Sequence, residues 1–146
     1  MKLKFMVAVM AAFAFVFSAC GSKDAGNKQL VLYYSQTGST KVVAEEIQKM
    51  LDADIELIEL ENPYTGTYAA TLERVKQERE SGNLPALKPL KADLSKYEVI
   101  YLGYPIWFGT YALPIASLVK DHNFEGKKIV TFCTFGSGDL ESALED

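Results

Sequence analysis

The sequence predicts an α/β fold with an open, doubly wound parallel sheet of four strands. After residue 28, short apolar runs alternate with segments in which apolar side chains recur at helical spacing. The third apolar run is nearly continuous, which is typical of a strand covered on both faces of a parallel sheet. Strands that alternate with helices pair in parallel through right-handed crossovers, and the alternation therefore indicates a doubly wound architecture.

The first elements form a predicted β–α–β unit. Residues 30–34 are an apolar run and are predicted as the first strand, and residues 55–60 are predicted as the second. Between them, the spacing of apolar side chains predicts a helix, with its periodic positions at Val43, Ile47, Met50 and Leu51.

The remaining elements continue the alternation. A second helix is predicted across Tyr68, Leu72 and Val75, after a segment rich in turn residues. The later predicted elements are, in order, a strand at residues 99–102, a short helix at residues 115–119 and a fourth strand at residues 129–132.

The first nineteen residues are predicted to be a signal peptide, separate from the fold. They carry Lys2 and Lys4, no acidic residue, and an apolar stretch that ends in small residues before Cys20. The end of this leader resembles the lipobox of bacterial lipoproteins, which implies an acylated Cys20 and a membrane-anchored protein of the bacterial cell envelope. A plain cleaved signal peptide with an incidental cysteine is the alternative. Residues 20–27 are predicted as a flexible tether and residues 28–146 as one domain.

Composition narrows the function classes. Without residues 1–19 the chain has 127 residues, 13 of them basic and 19 acidic, and a formal net charge of −6. This acidic balance argues against binding to nucleic acid and against a polybasic contact with anionic lipid. Apart from Cys20 the only cysteine is Cys133, which is interpreted as a small buried apolar residue. His122 is the only histidine and is interpreted as a surface loop residue, so a metal site has little support.

A turn of hydroxyl and glycine residues follows the first predicted strand. A strand that runs through such a turn into a helix offers free backbone N–H groups and a favourable helix dipole to a phosphate. The turn lacks the residue order of a triphosphate P-loop and of a dinucleotide fingerprint, so a monophosphate fits better. An ordinary turn with Ser39 or Thr40 as N-cap is the alternative. The candidate phosphate-binding residues are Ser35, Gln36, Thr37, Gly38, Ser39 and Thr40.

An aromatic loop is predicted after the third strand, at residues 103–109. Trp107 is the only tryptophan of the chain, and its place at the carboxyl end of a strand suits stacking on a planar ring. The alternative is that Trp107 or Phe108 packs under the neighbouring helix. The candidate ring-binding residues are Pro105, Ile106, Trp107, Phe108 and Gly109.

A glycine-rich loop follows the fourth predicted strand, and its glycines would let the backbone approach a flat ligand. In a doubly wound sheet, the carboxyl ends of the strands share one edge, where ligands bind. All three loops are expected at that edge, and a ligand with a planar ring at one end and a monophosphate at the other would contact each of them. The candidate residues of this third loop are Thr134, Phe135, Gly136, Ser137 and Gly138.

Three motifs together resemble flavodoxins and flavodoxin-like domains. They are the Ser-x-Thr-Gly-x-Thr of residues 35–40, the Gly-x-Pro-x-Trp of residues 103–107 and the Phe-Gly-Ser-Gly of residues 135–138. The resemblance implies a sheet with the strand order 2-1-3-4 and non-covalently bound FMN. The first loop would hold the ribityl phosphate, Trp107 would lie against the isoalloxazine, and residues 134–138 would face the other side or the rim of the ring.

The chain departs from that family at its C-terminus. A flavodoxin sheet has five strands in the order 2-1-3-4-5, whereas this sequence ends at Asp146, soon after its fourth predicted strand. The fifth strand and the last helix are therefore expected to be missing, which makes the domain at residues 28–146 incomplete. Either the sequence is a truncated gene product, or its fourth strand is an exposed edge that needs cover from a partner.

The leading hypothesis for function is an FMN-binding electron-transfer protein tethered to a membrane by an N-terminal lipid. Its redox partner, a protein or a small-molecule acceptor, is not identified by any motif. One alternative is an NAD(P)H-dependent flavin quinone or azo reductase, although the sequence has no separate nicotinamide fingerprint. Another is a truncated flavodoxin-like module that has no redox role.

Overall fold

The computed structural model describes residues 28–136. The predicted signal peptide, Cys20, the tether, Ser137, Gly138 and the last eight residues lie outside the described residues. The described elements are β1 (Gln29–Tyr33), α1 (Ser39–Leu51), β2 (Asp54–Leu57), α2 (Tyr68–Ser81), a 3₁₀ turn (Leu94–Lys96), β3 (Val99–Trp107), β4 (Thr110–Tyr111), α3 (Leu113–Asp121) and β5 (Lys128–Thr134).

The sheet confirms the predicted α/β architecture and its strand order. Four strands pair in parallel in the order β2-β1-β3-β5, so that β5 is the predicted fourth strand. The short strand β4 was not predicted, and it pairs antiparallel with the end of β3. Helix α1 packs on one face of the sheet through Ala44, while Val75 of α2 and Leu118 of α3 pack on the other. The core therefore has two layers, with the larger one on the α2 and α3 side.

Helix α1 forms where its periodicity predicts, but a different stripe of the helix is buried. Thr40 and Ala44 are buried and Ile47 is partly buried against the sheet, whereas Met50 is 82% exposed. Small side chains at the contact let a helix approach the strands closely. This packing includes Thr40 in the first turn of α1, which is only 1% exposed.

Strand β3 is longer than predicted. The sequence predicts a loop from residue 103, but the strand continues to Trp107 because β4 folds back along it and pairs Ile106 with Tyr111. Phe108 and Gly109 form the two-residue turn, with φ angles of 52° and 81°. Positive φ at both central residues is the geometry of a type I′ hairpin, whose twist matches that of the flanking strands. The predicted aromatic loop is thus mostly a hairpin.

Strand β2 is shorter than predicted, since the chain changes partner within residues 55–60. The Ile58 N–H still donates to the Tyr33 carbonyl at 2.7 Å. Beyond it, Leu60 forms an isolated antiparallel bridge with Leu87. The segment after β2 therefore pairs with the connection that leads to β3 and leaves the parallel sheet.

Gly103 of β3 leaves room for the side chain of Phe132 on the neighbouring strand β5. The two strands pair in register at Gly103 and Phe132. A Cβ atom on Gly103 would lie 2.2 Å from Cζ of the Phe132 ring, far inside van der Waals contact. The absent side chain makes room for the ring, which packs with Tyr33 on the α1 side.

Candidate functional site

The turn between β1 and α1 is organised by one hydroxyl group. Ser35 Oγ accepts hydrogen bonds from the backbone N–H groups of Gly38, at 3.2 Å, and of Lys41, at 3.3 Å. Gly38 is the N-cap, with a φ of 96°, a left-handed conformation that glycine adopts without steric penalty. The alternative prediction that Ser39 or Thr40 caps the helix is wrong, because the chain turns into the helix at the glycine before them.

The start of α1 presents free hydrogen-bond donors. Within the described part of the chain, the backbone N–H groups of Thr37, Ser39 and Thr40 have no acceptor. The side chains of Thr37 and Ser39 are exposed, so this end of the helix is open to solvent. Unpaired N–H groups at a helix N-terminus, together with the helix dipole, attract anions. The turn can therefore receive a phosphate group through its backbone.

Two of the predicted loop residues direct their side chains into the protein. The Thr40 hydroxyl is paired with that of Thr134 at 2.8 Å, and Thr40 is only 1% exposed. Gln36 accepts a hydrogen bond from the Tyr34 hydroxyl at 2.6 Å and donates to the Tyr64 carbonyl at 2.9 Å. Any phosphate contact of Gln36 or Thr40 would therefore use the backbone.

Trp107 lies between two tyrosines. Its ring centroid is 5.8 Å from that of Tyr34 and 5.4 Å from that of Tyr64, with interplanar angles of 89° and 79°. These are edge-to-face arrangements, which place the positive edge of one ring on the negative face of the other. Trp107 is partly exposed and packs against the larger core layer. Its ring thus has both a packing role, against the two tyrosines, and a surface at the site.

A polar network supports these aromatic rings from helix α2. The Tyr64 hydroxyl donates to Glu78 Oε2 at 2.5 Å, and Arg74 Nε donates to Glu78 Oε1 at 2.8 Å. Burial is the largest cause that raises the pKa of Tyr34 and of Tyr64, and the hydrogen bond to Glu78 raises the pKa of Tyr64 further. Both phenols therefore stay neutral and keep their protons for donation.

The three predicted loops meet at one cavity of about 570 Å³. This volume lies within the range of small-molecule sites. No formally charged side chain is found among the described residues that line it. From the three predicted loops the cavity is lined by Gln36, Thr37, Pro105, Ile106, Trp107, Phe108 and Gly136, and from the α2 side by Gly66, Tyr68, Thr71, Leu72 and Val75.

The other predicted site residues surround this cavity or lie outside the description. Ser35, Gly38, Ser39 and Thr40 form the adjoining helix start. Gly109 directly follows the lining residue Phe108, and Phe135, which is 51% exposed, directly precedes the lining residue Gly136. Thr134 lies two residues before Gly136. The remaining candidates, Ser137, Gly138 and the lipidation candidate Cys20, lie outside the described residues. Contact of any of these residues with a cofactor stays a prediction.

Phe108 stands out at the rim of the cavity. It is 56% exposed, and its φ of 52° places a bulky side chain in the left-handed region. Such a conformation costs a non-glycine residue on the order of 1 kcal/mol or more and is concentrated at functional sites. The Arg79 guanidinium lies 5.6 Å from the centre of the ring. The hairpin therefore presents an exposed aromatic ring beside the cavity, and its backbone is strained at this residue.

The α2 side of the cavity was not predicted. The stripe of Tyr68, Leu72 and Val75 predicts a packing face, yet only Val75 is fully buried, and Tyr68 is 79% exposed. The stripe begins with a tyrosine, which has a polar hydroxyl, and continues with aliphatic residues. This difference in polarity is the only sequence signal for a helix that borders a cavity. Tyr64 carries no signal of its own, because its contacts with Gln36 and Trp107 are made with residues 28 and 43 positions away in the chain.

The remaining candidate residues lie apart from the lining of the cavity. Cys133 is partly buried and packs against the larger core layer. His122 is partly exposed at the C-cap of α3. Over residues 28–136, no three histidine, cysteine or acidic side chains are grouped as they would be around a metal ion. Across the same span, none of the helices combines the length and the apolar composition that a membrane crossing needs.

Comparison with known proteins finds one family and several similar structures. The family model described as Flavodoxin matches residues 28–146. A candidate flavoprotein from Bacteroides eggerthii DSM 20697 is 30% identical, with a TM-score of 0.73, and the match covers 81% of this chain and 77% of that one. A flavoprotein from Lactobacillus acidophilus NCFM in complex with FMN is 24% identical, with a TM-score of 0.74 and 82% of each chain covered. No curated protein matches the chain.

Proposed function

The chain belongs to the flavodoxin family, and on that basis we propose that it is an FMN-binding electron-transfer protein held at a membrane by a lipid on Cys20. FMN is the cofactor that the family assigns to this chain, and a flavoprotein of the same fold from Lactobacillus acidophilus is in complex with it. When bound, FMN supplies the electron chemistry, while the protein provides binding, orientation and electrostatics.

The phosphate subsite is supported by the start of α1. The N–H groups of Thr37, Ser39 and Thr40 are free within the described residues, and Ser35 Oγ holds the turn in shape. A phosphate at this position would accept hydrogen bonds from these N–H groups and interact favourably with the helix dipole. No basic side chain is needed for such a contact, which agrees with the acidic composition of the chain.

The ring subsite is supported by the cavity. Trp107, Ile106 and Phe108 provide an apolar wall on the hairpin side, and Gly136 borders the cavity from the end of β5. An uncharged, largely apolar lining suits the planar isoalloxazine and excludes water from one of its sides. The single observation that carries the proposal is that segments some 30 to 100 residues apart converge on this cavity beside the helix start.

The lining also bears on the choice between a carrier and an NAD(P)H-dependent reductase. A nicotinamide dinucleotide brings a charged pyrophosphate, and basic side chains or a second helix N-terminus would be expected to receive it. The described lining residues include no lysine, arginine or histidine, and Arg79, outside the lining, has its guanidinium over the ring of Phe108. This composition favours electron exchange with a partner over direct oxidation of NAD(P)H. Steady NAD(P)H consumption by the purified FMN-loaded protein would contradict that preference.

The membrane location is proposed from the sequence alone, because Cys20 lies outside the described residues. The experiment is to grow cells with a labelled fatty acid and to compare the wild type with Cys20→Ser. We expect label and membrane association in the wild type and neither in the variant. Label that persists in Cys20→Ser, or a wild type that carries none, would contradict the anchor.

The cofactor proposal is tested by titrating the full-length chain with FMN and with riboflavin, which lacks the phosphate. We expect FMN to bind and its absorption spectrum to shift, and riboflavin to bind at least about tenfold more weakly because it leaves the α1 N-terminus unfilled. Equal affinities would remove the phosphate subsite, and a protein that binds neither compound would favour the module without a redox role.

A further inference from the structure

We infer that Glu78 and Tyr64 act together as positioning residues for Trp107, so that helix α2 sets the orientation of the aromatic wall from outside the cavity. Neither the loop motifs nor the family match assigns a role to these two residues. The inference concerns the same site and rests on the proposed function only where it addresses FMN affinity. Its central measurement needs no cofactor.

Tyr64 is held at both ends. Its hydroxyl donates a hydrogen bond to Glu78 Oε2 at 2.5 Å, and its backbone carbonyl accepts one from Gln36 Nε2 at 2.9 Å. The Arg74 guanidinium lies over its ring, 4.2 Å from the centroid. Tyr64 is 5% exposed, so its ring has little freedom to turn once the hydroxyl is fixed. A side chain with this many directional contacts can transmit its own orientation to a neighbour.

Trp107 receives that orientation through the edge-to-face contact with Tyr64 at 5.4 Å. The second contact, with Tyr34 at 5.8 Å, belongs to the same network, because the Tyr34 hydroxyl donates to Gln36 and Gln36 donates to Tyr64. Both tyrosines that flank the indole are therefore linked by hydrogen bonds through one glutamine. Because Gln36 donates to the backbone carbonyl of Tyr64, the loss of the Tyr64 hydroxyl leaves this second link in place and acts on Trp107 through the Tyr64 ring.

The Glu78 carboxylate differs from the other acidic groups on α2. Its side chain is 14% exposed and its partner Arg74 is 34% exposed, whereas the Lys76–Glu80 pair on the same helix is 63% and 67% exposed. A hydrogen bond to a charged acceptor is stronger than a neutral one and gains strength where water is excluded. Arg74 compensates the charge and also donates to the Pro63 carbonyl, next to Tyr64, at 3.0 Å. The pair thus ties α2 to the segment that carries the ring.

The test uses Trp107 as a reporter, since it is the only tryptophan of the chain. In the full-length protein without FMN, acrylamide quenching and the emission maximum of Trp107 are measured for the wild type, Tyr64→Phe, Glu78→Ala and Glu78→Gln. The control is Glu80→Ala, which removes the same type of side chain from an exposed ion pair on the same helix. FMN affinity is measured in parallel for each protein.

We expect Tyr64→Phe and Glu78→Ala to raise the quenching of Trp107, to shift its emission to the red and to weaken FMN binding about tenfold, the scale of one lost charged hydrogen bond. Glu78→Gln keeps a neutral acceptor for the Tyr64 hydroxyl but loses the charge that pairs with Arg74, and it should fall between the wild type and Glu78→Ala. The double variant Tyr64→Phe with Glu78→Ala should be no worse than either single variant, because both remove the same link. Glu80→Ala should change nothing.

If Glu78→Ala fails to fold, Tyr64→Phe still tests the inference, because this variant retains the aromatic ring and removes only the hydroxyl. Unchanged quenching of Trp107 in Tyr64→Phe would overturn the inference, and so would an equal effect of Glu80→Ala. A wild type that binds no FMN would refute the proposed function, while the quenching measurements would still decide whether Glu78 and Tyr64 position Trp107.

Discussion

The hydroxyl oxygens of Thr40 and Thr134 lie 2.8 Å apart although 94 residues separate them in the chain. Thr40 stands in the first turn of α1, and Thr134 is the last residue of β5. Their contact connects the candidate phosphate turn to the end of the strand that leads into the third loop. The two sides of the candidate site are therefore joined by a partly buried hydrogen bond.

Removing one of these hydroxyls should destabilise the protein. In Thr134→Val the Thr40 hydroxyl stays buried without its partner, and we expect a loss of about 1–3 kcal/mol in the free energy of unfolding. Urea denaturation measures it. The double variant Thr40→Val with Thr134→Val is the control, since two apolar groups of the same shape should recover most of the loss. A double variant as unstable as the sum of the single variants would contradict a direct hydrogen bond.

Truncation of the indole should weaken the cofactor site. We expect Trp107→Ala to reduce FMN affinity by roughly 1–3 kcal/mol, the range found for nucleobases stacked on aromatic side chains. Trp107→Phe retains an aromatic ring and should lose less. Isothermal titration with FMN measures both variants. An affinity of Trp107→Ala equal to that of the wild type would assign Trp107 to packing alone.

Replacing Phe108 should stabilise the fold and weaken the binding of FMN. Phe108 has a φ of 52°, and asparagine tolerates this region better than phenylalanine does. Phe108→Asn is therefore expected to stabilise the fold by about 0.5–1 kcal/mol while lowering FMN affinity through the loss of the ring. Thermal unfolding and FMN titration check the two parts separately.

Gly109 provides the matched control for the hairpin, because its φ of 81° requires glycine. Gly109→Ala should destabilise the turn, in contrast to Phe108→Asn. A destabilised Phe108→Asn would show that the contacts of the exposed phenyl ring outweigh the backbone strain.

Stability should fall at high pH in part through Tyr97. Its hydroxyl donates to Asp54 Oδ2 at 2.7 Å, and this hydrogen bond, followed by burial, raises the pKa of Tyr97 from 10.0 to about 12. Because the raised pKa favours the neutral phenol in the folded state, the contribution is complete below pH 10 and is lost as the pH rises through about 12.

The measurement compares the free energy of unfolding of the wild type and of Tyr97→Phe across that interval. The variant has no ionisable group at this position and should show a shallower decline with pH. Parallel curves for the two proteins would mean that the hydrogen bond to Asp54 does not perturb the ionisation of Tyr97.

Much of the fold could be predicted because its signals are local. The apolar runs that become β1, the first part of β3 and β5 are recognisable residue by residue, and the glycine and hydroxyl residues around Gly38 mark the start of a helix. The hairpin beyond residue 103 was missed. It depends on a two-residue turn at Phe108 and Gly109 that lacks the usual asparagine, so the turn had no local signature.

The amino-acid order by itself determined the alternation of strands and helices, the parallel sheet and the edge at which the three loops had to meet, because short-range periodicity and the handedness of crossovers govern these features. Only the tertiary structure decided that α2 closes the cavity and that Glu78 reaches Trp107 through Tyr64. These contacts join residues that are far apart in the chain. The distances between these residues depend on how the helices pack on the twisted sheet. That packing depends on the side chains of the whole core and cannot be read from any one segment.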